Sequence, residues 1–361
     1  MTETHDYLYA VIMAGGSGTR FWPRSRRDRP KQLLNITGDE ILLKKSIDLV
    51  KPIIPPARIK IITTVSQAEA VRKATPEIPA GNVIAEPFGK NTAPAIGLSA
   101  LFIEKEQANA VLVILPADHH IQDKTKFLEQ ILAGVSKALE GDYIITTGIV
   151  PRGPETGYGY IEAGDLVDEK HRIYTVKSFH EKPDEETARR FIDQGNFFWN
   201  SGIFIARAAR MLEEMAEHLP NSHRWLMHIR SSLGTDKAPE AINEAYQNME
   251  AISVDYGVME RSKRVWMIAG NYGWDDVGSW PSAAQYWPTD EQGNAHIGDV
   301  VTLDSSQCIV YSPHKTVALL GVDDLIVVEE DDALLISSKQ RCQDVKKLVE
   351  KLHSDGRDKL L

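Results

Sequence analysis

Three stretches of this chain hold side chains of the kind that handle phosphate. The first is Ala14-Gly15-Gly16-Ser17-Gly18-Thr19-Arg20, directly after a short apolar run at 7–13 (YLYAVIM). Glycines let backbone N–H groups approach an anion without a Cβ in the way, and a helix start or a nest adds partial positive charge. The spacing departs from the common nucleotide loops. A G-x-G-x-x-G match from Gly16 fails at Phe21, and no Gly-Lys-Ser/Thr follows. Behind the loop, Arg20, Arg24, Arg26, Arg27, Arg29 and Lys31 stand against one acid, Asp28. In a chain of net charge −10 this reversal fits a polyphosphate site, because guanidinium and ammonium groups neutralise phosphate oxygens. A solvated basic loop is the alternative.

The second stretch is Leu115-Pro116-Ala117-Asp118-His119-His120, after the continuous apolar run 111–115. An Asp at the carboxyl end of a strand can hold a hard cation, or it can cap the helix that follows. The third is Trp274-Asp275-Asp276-Val277-Gly278-Ser279-Trp280. Its acids could add a carboxylate to the same cation, or they could be turn residues. In Phe179-His180-Glu181-Lys182-Pro183, Glu181 could accept from sugar hydroxyls while Lys182 meets a phosphate; a strand-end ion pair is the plainer reading. Aromatics beside glycines and amides, as in Gly157-Tyr158-Gly159-Tyr160 and Trp199-Asn200-Ser201-Gly202, are residue types that line sugar pockets. No G-x-S-x-G occurs, and neither Cys308 nor Cys342 sits in a nucleophile context. Covalent catalysis by the protein is not indicated.

These groups need strands that end at a common rim. Candidate strands at 7–13, 58–63, 82–85, 110–115 and 143–147 alternate with helical patterns at 42–50, 93–106 and 126–139. That alternation predicts an α/β domain on a mixed, mostly parallel sheet. From about 150 to 285, Gly-, Tyr- and Trp-rich pieces alternate with helices at 184–194 and 208–218, an elaboration of the same domain. After about 290, β-type runs at 299–303, 308–311, 316–320, 325–328 and 333–336 are punctuated by turn residues, and an amphipathic pattern at 344–352 closes the chain. The division expected is a catalytic domain at 1–288 and a small β-rich domain at 289–361, either a short coiled β-helix or a sandwich.

Composition narrows the class. The 361 residues suit about two domains, and 42% hydrophobic content excludes disorder. With 41 basic against 51 acidic residues, a nucleic-acid or anionic-membrane partner is not expected. Two cysteines can supply neither a disulfide framework nor a cysteine metal site. The N-terminus has acids where a leader carries Lys or Arg, and no apolar stretch approaches 18 residues. A soluble cytoplasmic protein is the expectation.

Read in order, the segments resemble the sugar-nucleotide pyrophosphorylase family, and within it the mannose-1-phosphate guanylyltransferases. The likeness rests on Ala14 through Pro23 and on Pro30-Lys31-Gln32, then on Glu86-Pro87 and Asn91-Thr92-Ala93-Pro94-Ala95. It continues through Pro116-Ala117-Asp118-His119, Pro154 through Ile161, Glu181-Lys182-Pro183 and Trp199-Asn200-Ser201-Gly202, and ends with Ser253-Val254-Asp255-Tyr256 and Asp276-Val277-Gly278-Ser279-Trp280. The resemblance implies a nucleotide-diphospho-sugar transferase fold that transfers GMP from GTP to mannose 1-phosphate, assisted by Mg2+ or another divalent cation. Arg20, Lys31 and Lys182 would be the catalytic cations, Lys182 serving the sugar phosphate. Asp118 and Asp276 would hold the metal. Ala14, Gly15, Gly16, Gly18, Thr19, Glu86, Asn91, Thr92, Pro116 and Ala117 would meet the nucleotide. Gly157, Tyr158, Gly159, Glu181, Asn200 and Ser201 would meet the sugar.

Such chemistry needs charge neutralisation and alignment more than an acid–base pair. Two positions depart from the pattern: Lys90 replaces an Arg and lacks its planar fork, and Arg24 adds charge where an apolar residue is usual. At 361 residues, the isomerase domain of some relatives is not expected, and a homodimer is compatible with the family. The alternatives are a pyrophosphorylase for another sugar phosphate and nucleotide, or a non-catalytic sugar-nucleotide-binding regulator.

Overall fold

The computed structural model describes residues 6–361; Met1–His5, on which part of the leader argument rests, lie outside the described residues. Strands β1 (Leu8–Met13), β2 (Ile59–Thr64), β3 (Val83–Glu86) and β4 (Val111–Pro116) are parallel, in the order β3-β2-β1-β4. After β4 come β5 (His120–Ile121), β6 (Ile144–Ile149), β7 (Tyr160–Asp168) and β8 (Ile173–His180). They are followed by β9 (Phe197–Arg207), β10 (Val265–Gly270) and β11 (Trp274–Asp275). The sheet continues from β4 through β9, β6, β10, β8 and β7, and β9 runs antiparallel to both β4 and β6. The short β5 and β11 form a separate antiparallel ribbon.

Apolar residues at every position of β1 are explained by burial on both faces. Leu8, Ala10 and Ile12 pack with Leu43 and Ile47 of helix α1 (Leu42–Val50) and Val71 of α2 (Val65–Ala74). Tyr9 and Val11 face the other way, toward Ile96 and Leu98 of α3 (Thr92–Glu106) and Met211 and Met215 of the helix Ala208–His218. Phe127 and Ile131 of α4 (Lys124–Gly141) complete the first layer. The predicted alternation of strand and helix is the observed one. Residues 150–285 add the antiparallel strands and the helices Pro220–Ser232 and Ala238–Asn248 to the same sheet.

In the C-terminal region, β12 (Ala295–Leu303), β13 (Ile309–Leu320) and β14 (Leu325–Glu329) are parallel, and β15 (Leu334–Ser338) is antiparallel to β14. Ala295, Ile309 and Ile326 lie in register across three strands, so the chain coils rather than forming two packed sheets. The runs at 308–311 and 316–320, separate strands by sequence pattern, are one strand in the structure. Pro313 lacks a ladder N–H, and the pairing absorbs it through a register shift between Gly298 and Val300 of β12.

One apolar core joins this coil to the segment behind the glycine loop: Phe21, Trp22, Leu34 and Ile36 pack with Trp280, Trp287, Tyr311, Ile326 and Leu352. Trp280 is fully buried, with its ring edge-on to Phe21 at 5.0 Å. The basic run belongs to this junction, which corrects the polyphosphate reading for four of its six cations. Arg24 Nε and Arg29 Nη2 reach Glu330 at 3.1 and 2.7 Å. Arg26 pairs with Asp332 and Arg27 with Asp358. The Trp22 indole N–H donates to the Leu360 carbonyl at 2.8 Å. Arg24, expected to add charge near phosphates, is buried over the Tyr311 ring at 4.0 Å. Three acids more than 300 residues away pair with these four cations, and a local count of charges cannot reveal that.

Candidate active site

The order of the parallel strands reverses between β1 and β4, and their carboxyl ends open the crevice where α/β folds bind ligands. β1 delivers the glycine loop there. Its first residue is fixed: the Ala14 carbonyl accepts from Gln32 Nε2 at 2.7 Å and Thr63 Oγ1 at 2.8 Å, and the Ala14 N–H donates to Ile62 O at 2.8 Å. Gly18 is required on two counts. Its φ of 63° is left-handed, and a Cβ there would lie 2.2 Å from Lys31 Cβ. The close approach seats Lys31, which is 6% exposed, against the loop.

Lys31 Nζ donates to Asp118 Oδ2 and to the Asp276 backbone carbonyl, both at 2.8 Å. One ammonium therefore ties together two acids 158 residues apart in sequence. Burial opposes ionisation of Asp118, but Lys31 and His119 outweigh it and hold the carboxyl below its usual range. The β5–β11 ribbon, with His120 opposite Asp275, places Asp118 and Asp276 at the same rim. The Trp274 indole N–H donates to His119 Nδ1 at 3.1 Å. Asp276 Oδ1 accepts from the Tyr158 hydroxyl at 2.8 Å and from Gly278 N–H at 2.9 Å. Oδ2 accepts no hydrogen bond among the described residues. Burial, then the Asp276 charge, pushes the Tyr158 hydroxyl well above its ordinary value, so it stays a donor. Asp275 is the turn residue of the pair, accepting from Val277 N–H at 2.6 Å.

Two carboxylates, of which Asp276 Oδ2 accepts no hydrogen bond among the described residues, suit a hard cation such as magnesium, which takes one or two protein carboxylates and completes its shell with phosphate oxygens and water. The described residues offer one grouping of three donors, Glu214, Glu217 and His218, and it lies on the helix Ala208–His218. There Glu214 is already engaged by Arg210 and His218.

Beside Asp276 a cavity of about 220 Å³ is lined by the whole sugar set, Gly157, Tyr158, Gly159, Glu181, Asn200 and Ser201, together with Lys182. Lys182 Nζ pairs with Glu181 Oε1 at 3.0 Å, and its side chain is largely exposed at the cavity edge. Asn200 is committed: its amide donates to Asp255 Oδ1 at 2.6 Å, and its oxygen accepts from Gly202 N–H at 3.1 Å. Ser201 lies in the cavity wall as expected, but it is buried and its hydroxyl is engaged by Thr147. Asp255 has no role in the sequence reading, although Ser253-Val254-Asp255-Tyr256 carries part of the family likeness. It lines the cavity, and burial together with the Glu181 charge raises it to about 6. Its placement in a π-helical turn, Asp255–Met259, leaves no periodicity to read.

Other members of the nucleotide set flank the loop. Glu86 is buried beneath it, with Oε2 at 3.8 Å from where a Cβ on Gly15 would stand. Its Oε1 accepts from the Tyr246 hydroxyl at 2.9 Å, yet burial dominates and pushes it up to about 7. Asn91 caps α3, its side chain accepting from Thr92 N–H at 2.9 Å. Thr92 Oγ1 accepts from Val254 N–H at 2.8 Å and lines the sugar cavity with Pro116. Ala117 is buried and extends β4 by donating to Met13 O at 3.0 Å. Lys90 donates to Met249 O at 2.9 Å, a single-point contact that needs no fork. Gly16 has open space around it. Arg20 is exposed and has no ion-pair partner among the described residues, while Thr19 faces a cavity closed by Val349 and His353.

The comparisons with known proteins agree with this geometry. The Nucleotidyl transferase family model matches residues 9–293, and the MannoseP isomerase/GMP-like beta-helix domain matches 298–352. The alginate biosynthesis protein AlgA of Pseudomonas aeruginosa is 38% identical over 357 residues, covering 97% of this chain and 73% of that protein. A mannose-1-phosphate guanylyltransferase of Klebsiella pneumoniae is 37% identical over 361 residues, covering 97% and 75%. Among solved structures, a protein described as mannose-1-phosphate geranyltransferase from Thermus thermophilus superposes with a TM-score of 0.86 at 35% identity, covering 96% of this chain and 99% of that one.

Proposed function

The chain belongs to the nucleotidyl transferase family, and from that premise we propose that it is a mannose-1-phosphate guanylyltransferase. It transfers GMP from GTP to mannose 1-phosphate. An oxygen of the sugar phosphate attacks the α-phosphorus of GTP, a new P–O bond forms as the bond to the β-phosphate breaks, and pyrophosphate leaves with that electron pair. GDP-mannose remains. No proton transfer is required, which fits a site rich in charge and poor in candidate bases.

The observation that carries the proposal is the tie at Lys31. Lys31 packs against Gly18 of the glycine loop and hydrogen-bonds both the Asp118 carboxylate and the Asp276 backbone carbonyl, beside a cavity lined by Glu181, Asn200 and Lys182. Asp118 and Asp276 are the residues proposed to hold a divalent cation, which when bound offsets the repulsion between two phosphate-bearing substrates. Lys31 and Arg20 neutralise the nucleotide phosphates, and Tyr158 fixes the Asp276 carboxylate. Lys182 swings to the sugar phosphate, and Glu181 and Asp255 accept from sugar hydroxyls. Glu86 supports guanine: the Watson–Crick edge of that base offers N1–H and N2–H side by side, a match for a carboxylate that uracil and thymine lack. The remaining proposals are a catalytic part at 1–288, a coiled β part at 289–361 with a structural role, and a cytoplasmic location. No helix among the described residues is long and apolar enough to cross a membrane.

The experiment is pyrophosphate release with GTP, UTP, dTTP and ATP, each crossed with mannose 1-phosphate and glucose 1-phosphate. The expected outcome is turnover concentrated in the GTP and mannose 1-phosphate pair. Comparable turnover with GTP, UTP and dTTP would remove the guanylyl assignment and leave the family intact.

A further inference from the structure

The β5–β11 ribbon has a front and a back. Trp274, Asp276 and His119 face the sugar cavity in front. Behind the ribbon, between β5, helix α1 and the first turn of α4, lies a second cavity of about 380 Å³ that no step of the proposed reaction uses. Lys45 of α1 and Lys124 of α4 wall it, with His119 and His120 on the ribbon side, and Leu49 and Ile121 are its buried apolar lining.

The Lys45 ammonium is held in place by the Thr37 carbonyl at 2.6 Å and the Thr37 hydroxyl at 2.9 Å. An ammonium carries three donors, so one remains for a ligand. Lys124 has no ion-pair partner among the described residues. The His120 ring is packed on Tyr286 at 4.2 Å, which fixes the wall that carries it. Opposing charge comes from Glu40 at the rim and its neighbour Asp39. Gln122 adds an amide at the edge, while the buried Ser46 hydroxyl donates to the Leu42 and Pro116 carbonyls.

We propose that this rear cavity is a binding site for a phosphate group, carried by a small sugar phosphate or free as inorganic phosphate, separate from the reaction centre. A pre-fixed ammonium, a second free one and an apolar lining that lowers the local dielectric are what a compact dianion requires. The volume lies at the low end for small-molecule sites, which favours a monoester over a nucleoside triphosphate. Occupancy ties α1 and α4 to β5. Because Ile121 pairs with Trp274 and His120 with Asp275, the restraint passes directly to the strand that precedes Asp276. The site goes beyond the proposed function and does not depend on it.

The test follows the ring resonances of His120 by NMR during titration of the full chain with inorganic phosphate, then with mannose 1-phosphate and glucose 1-phosphate. A saturable shift of His120 is expected in the millimolar range or tighter. Lys45→Ala and Lys124→Ala should each weaken it about tenfold, the loss of one charge-assisted hydrogen bond. Glu40→Gln should strengthen it, because it removes the repelling carboxylate. If Lys45→Ala melts early through loss of its Thr37 anchor, Lys124→Ala, at an exposed position, carries the result. Tighter binding of a sugar phosphate identifies a monoester site, and equal binding identifies a site for the free ion. No saturable shift at His120, or shifts of equal affinity in wild type, Lys124→Ala and Glu40→Gln, overturns the proposal.

Discussion

Replacing Glu330 by Gln tests whether the arginines behind the glycine loop serve the C-terminal coil or the nucleotide. Glu330 accepts from Arg24 at 3.1 Å and from Arg29 at 2.7 Å, and the Arg24 side chain is only 7% exposed. Removing the carboxylate leaves Arg24 buried without a counter-charge, a change that costs about 3–5 kcal/mol in comparable buried pairs. Arg24 keeps Asn35 Oδ1 at 3.1 Å and the Tyr311 ring, so the low end, about 3 kcal/mol, is expected. For a chain of this size that corresponds to a fall of roughly 5 °C or more in melting temperature. Arg24→Met should be destabilising by itself, yet the double variant Arg24→Met/Glu330→Leu should recover much of the loss, because an apolar pair can replace a buried ionic one. The assays are thermal melting and a binding titration with GTP, and affinity for GTP should stay within a few-fold in every variant that remains folded. A Glu330→Gln protein that melts like the wild type, or an Arg24→Met protein that is stable and has lost GTP, would refute the reasoning and return the run to the phosphates.

Two further perturbations bear on the site. Glu86, raised from 4.5 to about 7, keeps its proton when the unfolded chain has lost it. Its contribution to stability is therefore full below about pH 4.5 and disappears as pH rises through 7, roughly 3 kcal/mol in all; Glu86→Gln should flatten that slope in denaturant titrations at several pH values. The same substitution should narrow the preference for GTP over UTP by about 10²-fold in competition assays, since an amide cannot accept two donors from guanine. Lys182→Met should lower turnover by about 10²–10³-fold while GTP binding measured by calorimetry is unchanged, the pattern of a group that acts mainly in the transition state.

How far the sequence could be read depended on how local each cause was. The β1 run and the glycine loop behind it were legible, because burial on both faces and a left-handed Gly18 leave marks within a dozen residues. Asp118 was legible as a rim residue for the same reason, since it follows a fully apolar strand. The pairing of Asp118 with Asp276 came from family likeness rather than spacing. The ribbon that brings them together is four residues in all, too short for any periodic signal. Asp255 stayed hidden in a π-helical turn, which leaves no periodic signal in the sequence. The basic run was misassigned because its partners Glu330, Asp332 and Asp358 lie at the far end of the chain. Charge counted along the sequence cannot separate a phosphate clamp from a latch.

The central claim is that Asp118 and Asp276, joined through Lys31, act as one unit on one cation in guanylyl transfer. It is tested most directly by turnover of Asp118→Asn, Asp276→Asn and the double variant with GTP and mannose 1-phosphate across a magnesium titration, with folding checked by melting. Each single variant should lose about 10²-fold or more, part of it recovered by excess magnesium, and the double should lose little beyond the worse single, because either loss disables the shared ion. Full activity in chelator, or losses that multiply in the double variant, would contradict the account.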